Sequence, residues 1–326
     1  MYLVTGGAGF IGSHIVERLV GRGERVRVLD NLSFATGDNP FGRGGRVEMV
    51  SGNLANPSAV RRAMAGVNVV FHEAALTSVA MSLDDPALVN QVNVDGTLNV
   101  LIAARDAGVQ RVVYASSGLV YGATEVVPQS ETVTPCPSSP YAVSKLAGEH
   151  YCRVFAEVYG LETICLRYFD VFGPGPGPND RHPPVISRFI DAALRGKPLE
   201  VYGDGLQSRD FTYIDNIVDA NLLAAESSEG VGEVFNIGQN RSITLLDVID
   251  YLRRIVGPEV RWSHTKARPG DVRHSQADIS KARRILGYRP HVTFEEGLRK
   301  TVEYHRQKLA AGDNGQSPAG DSIIEF

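Results

Sequence analysis

The chain has 326 residues, 43% of them hydrophobic, so it can bury a full core and is long enough for two lobes. Its formal net charge of −4 gives no basis for a nucleic-acid or anionic membrane partner. The three cysteines lack metal-ligand spacing and suit a reducing cytoplasm, and no apolar run reaches membrane-helix length. A strand that starts at residue 2 leaves no room for a signal peptide. We therefore expect a cytoplasmic protein with no metal, nucleic-acid or membrane partner.

The first thirty residues predict a dinucleotide-binding unit. Residues 2–5 predict a buried strand, 13–20 a helix, and 25–29 a second strand that ends at Asp30. The glycine-rich turn at 6–12 has the spacing that lets a pyrophosphate approach the backbone at a helix N-terminus. The carboxylate of Asp30 can accept both hydroxyls of a ribose and would repel a 2′-phosphate. The predicted cofactor is therefore NAD rather than NADP.

Strand-like and helical segments then alternate as far as residue 168. The predicted strands are 47–50, 67–72, 111–115 and 163–168, and the predicted helices are 57–65, 86–107 and 140–159. This alternation predicts an α/β fold with a Rossmann-type, doubly wound parallel sheet. Ligands bind beyond the carboxyl ends of such strands, so the residues that follow the strands are expected to line one crevice.

The second half of the chain predicts a smaller C-terminal α/β lobe for substrate binding, over residues 169–311. A Gly/Pro-rich break at 173–178 separates it from the NAD-binding domain of residues 1–168. Segments within 209–238 are expected to return to that domain, and 235–238 to rejoin the large sheet. Within the lobe we predict helices at 184–196 and 244–256 and a short strand at 197–203, followed by a polar tail at 312–326.

Tyr141 and Lys145 lie one helical turn apart, close to a helix start marked by Ser139 and Pro140. A lysine charge at this spacing favours the phenolate, so we expect Lys145 to lower the pKa of Tyr141 from its usual value of about 10. The spacing alone also occurs by chance in amphipathic helices. It gains meaning beside the glycine turn and beside Ser117, which follows a predicted strand.

A series of motifs, in this order, resembles the extended short-chain dehydrogenase/reductase family over about residues 1–305, and within it the nucleotide-sugar 4-epimerases. The motifs are TGGAGFIGSH, DNLS, HEAA, SSGLVYG, YAVSK, RYFDVFGP, YGDGLQSRDFTYIDN, NIG and RPGDVRHSQAD. The resemblance implies that Tyr141 takes the proton of the sugar 4-hydroxyl while C4 passes hydride to NAD⁺. Ser117 would hydrogen-bond the same oxygen, and Lys145 would bind the nicotinamide ribose. The 4-keto sugar would then turn over and receive hydride on its other face.

The same resemblance implies the binding residues. For the cofactor these are Gly6, Gly9, Phe10, Ile11, Gly12, Asp30, Asn31, Asn53, Leu54, Ala74, Ala75, Asn93, Ser116, Tyr141, Lys145 and Tyr168. For the substrate they are Ser78, Ser117, Asp170, Tyr202, Arg209, Arg268, Asp271 and Ser275. Arg209 and Arg268 match arginines that clamp a diphosphate, although surface charges are the alternative reading. Tyr202 matches an aromatic residue that stacks on uracil, with core packing as the alternative, and Asp271 one that binds the uridine ribose.

A few positions at which related enzymes carry different residues indicate the reaction and the substrate. Gly118 and Leu119 stand where dehydratases of the family carry an Asp–Glu pair and decarboxylases a glutamate, which favours plain 4-epimerisation. Ser275 stands where members restricted to unsubstituted hexoses have a tyrosine, so we expect UDP-GlcNAc and UDP-GalNAc to be accepted alongside UDP-glucose and UDP-galactose. Asp170 replaces the usual asparagine and would repel phosphate unless protonated or paired. The missing Arg-Gln after Pro174 disfavours UDP-glucuronate.

Two alternatives stay open at this stage. One is another nucleotide-sugar enzyme on the same scaffold, namely a 4,6-dehydratase, a decarboxylase or a uronate epimerase. The other is a non-catalytic NAD-binding regulator, which the intact set of Ser117, Tyr141 and Lys145 disfavours. The resemblance also implies a homodimer, formed when the helices at 86–107 and 140–159 pair with those of a second copy in a four-helix bundle.

Overall fold

A computed structural model describes residues 1–33, 45–175, 184–266 and 272–312 of the chain. Its large sheet contains β1 (Tyr2–Thr5), β2 (Val26–Asp30), β3 (Val47–Ser51), β4 (Val69–His72), β5 (Arg111–Ser117), β6 (Glu162–Tyr168) and β11 (Val234–Ile237). Within the described ranges the order is β11-β6-β5-β4-β1-β2-β3, and every neighbouring pair is parallel. The predicted α/β class with a doubly wound parallel sheet is confirmed.

Helices cover both faces of this sheet. The α-helices of the described ranges are α1 (Phe10–Gly21), α2 (Pro57–Met64), α3 (Val79–Asp84), α4 (Pro86–Asn90), α5 (Gly96–Asp106), α6 (Pro140–Tyr159), α7 (Val185–Leu194), α8 (Ile214–Glu226), α9 (Leu245–Ile255), α10 (Ser280–Ile285) and α11 (Phe294–Ala310). Of these, α7, α9 and α11 pack with one another. Successive strand residues point to opposite faces, so Val4 and Val113 pack with α1 and α8, whereas Leu3 and Val112 pack with α2, α5 and α6. None of the described helices is long and apolar enough to cross a membrane.

Three small strand pairs belong to the second half of the chain. β7 (Val171–Phe172) pairs with β10 (Thr212–Tyr213), β8 (Leu199–Tyr202) with β13 (Trp262–Thr265), and β9 (Ser208–Arg209) with β12 (Ile243–Thr244). The first two pairs are parallel and the third is antiparallel. Phe172, Phe211, Tyr251 and Phe294 join their rings in one cluster between these elements. These strands carry the predicted substrate residues Tyr202, on β8, and Arg209, on β9.

The order of the strands positions the site. β1 and β4 are neighbours, and the chain leaves them in opposite directions across the sheet, towards β2 on one side and β5 on the other. A crevice opens beyond the carboxyl ends of strands at such a switch point. The residues after β1, β4, β5 and β6 therefore reach one edge of the sheet, as the sequence predicts.

The predicted helix at 86–107 is wrong in one respect, because a π-helical turn at Gln91–Asp95 separates α4 from α5. In that turn the Asn93 side chain accepts a hydrogen bond from the Leu76 N–H (2.8 Å) and donates to the Leu76 carbonyl (3.0 Å) and to Ser144 Oγ (3.0 Å). These bonds hold the widened turn against the segment that follows β4. Helices α3, α8, α10 and α11 are absent from the sequence prediction.

Candidate active site

The glycine turn between β1 and α1 leaves no room for a side chain at Gly6 or Gly12. Gly6 has φ +67°, and a Cβ added there would lie 2.7 Å from the N and Cα atoms of Ala74. A Cβ on Gly12 would lie 2.8 Å from Gly7 Cα. Gly9, the N-cap of α1, supplies no side-chain cap, so the first N–H groups of the helix are available to an anion.

Asp30 is fixed beside this turn at the end of β2. Its carboxylate accepts hydrogen bonds from the Ala8 N–H (3.0 Å) and from the Leu32 N–H (2.8 Å). At the end of β3, Asn53 Oδ1 accepts from the Ala55 N–H (2.9 Å). Asn31 makes a similar local bond with the Ser33 N–H (3.2 Å), and Leu54 is buried. The turn and Asp30 thus fit a dinucleotide.

Tyr141, Ser117 and Lys145 come together at the carboxyl end of β5. Ser139 caps α6 by accepting from the Ala142 N–H (3.2 Å), and Pro140 occupies the first turn, as expected from the sequence. Tyr141 and Lys145 are buried, and the Tyr141 hydroxyl is hydrogen-bonded to Ser117. The Lys145 ammonium lies 6.0 Å from the centre of the Tyr141 ring.

The expected direction of the pKa shift is wrong for Tyr141 in this structure. Burial raises the pKa of Tyr141 to about 12, although the hydrogen bond from Ser117 lowers it, and the charge of Glu73 raises it further. The physical reason is that removal of water disfavours the phenolate. Burial likewise lowers the pKa of Lys145 to about 8, and its ammonium donates to the Ala115 carbonyl (2.8 Å).

A carboxyl group without a role in the sequence analysis lies next to this set. Glu73 follows β4, and its Oε1 accepts a hydrogen bond from the Tyr168 hydroxyl (3.0 Å). Burial raises the pKa of Glu73 to about 7. Its neighbour His72 is neutral, because burial lowers its pKa to about 3, and its ring nitrogens bond the hydroxyls of Thr5 and Thr97. The position of Glu73 directly after a predicted strand is the signal that could have identified it.

Next to Ser117, Tyr141 and Lys145 lies a buried ionic network. Arg167 donates two hydrogen bonds to the Glu149 carboxylate (2.8 and 2.7 Å), and Ser116 Oγ donates a third (2.5 Å). Glu149 lies one turn beyond Lys145 on α6, and Ser116 precedes Ser117 on β5. The network therefore ties α6 to β5 and β6, and it engages the side chain of Ser116 within the protein.

Asp170 adopts a positive φ of 28° and is exposed just beyond β6. Its carbonyl accepts the Thr212 N–H (3.1 Å), and its charge is one cause that raises the pKa of the buried Asp210. Burial is the larger cause, and the pKa of Asp210 reaches about 7 even though its carboxyl accepts from the Gln239 and Ala277 N–H groups (2.7 and 3.0 Å). Asp170 therefore has a second carboxyl as a neighbour, and no signal in the sequence indicates it.

The other predicted substrate residues of the described ranges are Tyr202 on β8, Arg209 on β9, Ser275, and Ser78 before α3. Tyr202 is partly exposed at the end of β8, with the Arg188 guanidinium 5.1 Å from its ring centre, so it is not a core residue. Arg209 lies on β9. The Ser275 N–H donates to the carbonyl of Ser208, the residue that precedes Arg209 (3.0 Å). Ser78 caps α3 by accepting from the Met81 N–H. The predictions for Arg268 and Asp271 fall outside the described residues, as does part of the break at 173–178.

Residues 2–238 match the NAD dependent epimerase/dehydratase family. The chain belongs to this family. The resemblance to extended short-chain dehydrogenase/reductases found in the sequence is thereby confirmed.

Three proteins show how similar the chain is to known members of the family in sequence and structure. A UDP-glucose 4-epimerase of Mycolicibacterium smegmatis is 37% identical over 310 residues, which cover 94% of this chain and 98% of the relative. The structure of a Thermus thermophilus UDP-glucose 4-epimerase in complex with NAD is 39% identical, with coverage of 94% and 98% and a TM-score of 0.84. That of a UDP-N-acetylglucosamine 4-epimerase from Methanobrevibacter ruminantium, in complex with UDP-N-acetylmuramic acid, is 36% identical, with coverage of 94% and 98% and a TM-score of 0.88. The prediction that the cofactor is NAD is confirmed.

Proposed function

We propose that the chain is an NAD-dependent UDP-hexose 4-epimerase. The observation that carries the proposal is the set of Ser117, Tyr141 and Lys145, followed by two residues that cannot transfer protons. A Cβ on Gly118 would lie 3.1 Å from two ring carbons of Phe169, so the packing there opposes any side chain. Leu119 is apolar. The positions where dehydratases and decarboxylases of the family carry carboxylates are thus without one, which leaves Tyr141 as the proton-transfer group for the sugar.

The chain's own residues divide the work as follows. The glycine turn and Asp30 would hold NAD, which supplies the hydride acceptor and donor when bound. Tyr141, as phenolate, takes the proton from the sugar O4 and later returns it. Ser117 donates to the oxygen that bears the charge and lowers the pKa of Tyr141 against the effect of burial, and Lys145 would hold the nicotinamide ribose. A general base of this kind contributes roughly 10²–10⁴-fold to the rate.

The proposed substrates are UDP-glucose and UDP-galactose together with UDP-GlcNAc and UDP-GalNAc. Ser275 supports the acetylated pair, because its small side chain leaves the space that a tyrosine would fill. It lies beside Arg209 through the bond between the Ser275 N–H and the Ser208 carbonyl, close to the residue proposed to bind the diphosphate. Asp170 is exposed, so its carboxylate could accept a hydrogen bond from a sugar hydroxyl.

The experiment is an assay of the purified, NAD-loaded protein against the four UDP-sugars, with products separated by chromatography. We expect interconversion within each pair, loss of turnover in Tyr141→Phe, and loss of the acetylated pair alone in Ser275→Tyr. A 4-keto-6-deoxy product or a decarboxylated sugar would show that another enzyme of the scaffold is present. Bound NAD with no turnover of any sugar would favour a regulator.

We also infer that two copies pair through α6 and the helices α4 and α5 that pack on it. Val143, Val154 and Val158 lie on one face of α6 and are 52%, 41% and 66% exposed. An apolar stripe of this kind at helical spacing is typical of a helix–helix interface. The same helix carries Tyr141 and Lys145 at its first two turns, so the interface would lie close to the catalytic residues.

A further inference from the structure

Glu73 is an acidic side chain held inside the catalytic crevice, and the mechanism above does not use it. It follows β4, between the glycine turn on one side and the end of β5 on the other. The adjacent residue, Ala74, closes on Gly6, where an added Cβ would lie 2.7 Å from the Ala74 backbone. The Glu73 backbone N–H is bonded to the Thr5 carbonyl (3.2 Å). The carboxyl group is thus anchored at the switch point of the sheet.

A chain of hydrogen bonds fixes the carboxyl itself. Tyr168, at the end of β6, reaches across β5 and donates to Glu73 Oε1 (3.0 Å). The amide of Asn221 on α8 donates to the Tyr168 hydroxyl (2.8 Å). Glu73, Tyr168 and Asn221 lie far apart in the sequence but are joined by these two hydrogen bonds, which hold the carboxyl towards Tyr168.

Among the described residues, charged and titratable groups of β6 and α6 interact with Glu73. Tyr168 faces it from β6, and Tyr141 and Lys145 face it from α6. His72 precedes it on its own strand, but it is neutral at physiological pH. The charge of Glu73 raises the pKa of Tyr141 and also that of Lys145, and the pKa of Glu73 itself is raised to about 7 by burial. The carboxyl therefore changes its charge near neutral pH, beside the proposed acid–base pair.

We propose that Glu73 is a third ionisable residue of the acid–base site, a positioning residue that acts on Tyr141 through its charge while Tyr168 holds it in place. The inference rests on the role of Tyr141 in the proposed function. When Glu73 is ionised, Tyr141 holds its proton more strongly, so its phenolate is the stronger base. When Glu73 is protonated, Tyr141 gives up its proton more readily, so its hydroxyl is the stronger acid. A single carboxyl thereby balances the two directions of proton transfer that a reversible reaction needs.

The test is a titration of the Tyr141 phenolate in the NAD-loaded protein without sugar. Phenolate absorbance near 295 nm is followed over pH, and the same titration of Tyr141→Phe is subtracted, because the chain has 12 tyrosines. In Glu73→Gln, which keeps an acceptor for Tyr168, we expect the midpoint of Tyr141 to fall by on the order of one pH unit. The acid limb of kcat/KM is expected to fall with it.

Two further variants keep the result interpretable. Tyr168→Phe frees the carboxyl without removing its charge, and a smaller change in the same direction is expected. Glu131→Gln removes another partly buried carboxyl, one that accepts from the Asn236 N–H (2.7 Å), and it should leave the midpoint unchanged. An equal midpoint in Glu73→Gln and wild type overturns the proposal. So does an equal change in Glu131→Gln. If Glu73→Gln does not fold, an unchanged midpoint in Tyr168→Phe overturns it.

The two proposals fail in different ways. The phenolate titration needs no sugar, so a lowered midpoint with no turnover of any UDP-sugar supports the role of Glu73 and contradicts the epimerase. Normal epimerisation with identical pH profiles in wild type and Glu73→Gln supports the epimerase and contradicts the role of Glu73.

Discussion

Replacement of Gly148 by alanine tests how closely the catalytic helix must approach β5. Gly148 lies in the middle of α6, three residues after Lys145. A Cβ there would be 2.9 Å from Cε1 of Tyr114 and closer still to Cζ and the hydroxyl oxygen, whereas ordinary contacts between carbon atoms are about 3.5–4.0 Å. The Tyr114 ring is fully buried and cannot retreat. The helix would therefore move outward.

The magnitude follows from two opposing terms. Overpacking of a buried site costs about 1–3 kcal/mol, and overlap with three atoms of a fixed ring places Gly148→Ala at the upper end. Alanine gains about 1 kcal/mol of helix propensity over glycine. We expect a net loss of about 2 kcal/mol in the free energy of unfolding. A displacement of α6 would also disturb the 2.8 Å bond from Lys145 to the Ala115 carbonyl, with roughly a 10²-fold loss of kcat.

Urea unfolding followed by circular dichroism measures the first effect, and the epimerase assay the second. The matched control is Gly21→Ala in α1, because a Cβ at Gly21 meets nothing within 4 Å. It should leave activity unchanged and raise the stability by up to about 1 kcal/mol. If Gly148→Ala were as stable and as active as wild type, the close approach of α6 to β5 would be of no consequence and the reasoning would be wrong.

Three further predictions concern pH, cofactor and assembly. In the folded protein the pKa of Glu73 is raised to about 7 from 4.5. The neutral carboxyl therefore stabilises the folded state fully below the unfolded pKa, and this stabilisation is lost as the pH rises through about 7. At pH 8 the free energy of unfolding of Glu73→Gln should therefore exceed that of wild type by on the order of 2–3 kcal/mol, and at pH 5 the two should be equal. Urea unfolding measures this, and equal urea midpoints at pH 8 would contradict it. Asp30→Ser should weaken NAD binding about 10–100-fold by calorimetry and raise the relative affinity for NADP, and an unchanged NAD affinity would count against a ribose contact. Val158→Glu should convert a dimer to a monomer in light scattering, and a monomeric wild type would refute the interface.

Local signals in the sequence were sufficient for much of the fold. The start of α6 at Pro140 follows from a serine cap and a first-turn proline, and its end follows from Gly160, which has φ +69°. The missed helix α11 carries the same kind of signal, because its cap Thr293 accepts from the N–H of Glu296. Since the strands are parallel, the residues after them could be assigned to one edge of the sheet before the structure was known.

The remaining features depend on contacts between distant residues. Glu73 meets Tyr168 across 95 positions of the sequence, and no spacing rule connects them. The pKa of Tyr141 depends mainly on how deeply the side chain is buried. The i, i+4 spacing to Lys145 gives no information about that burial. The neighbourhood of Asp170 and Asp210 arises from the pairing of β7 with β10, two strands of two residues each that are too short for a periodic pattern.

The position of β11 has a consequence for how the chain is made. Strand β6 ends at Tyr168, yet its outer partner is supplied only by Val234–Ile237, after the intervening chain has been synthesised. After β6 has been synthesised, the nascent chain therefore has an unpaired sheet edge until β11 has been synthesised too. During that time the edge is exposed to the ribosome surface and to chaperones. Residues 1–168 alone would keep this edge open, so a fragment cut there should aggregate rather than fold as a free NAD-binding unit.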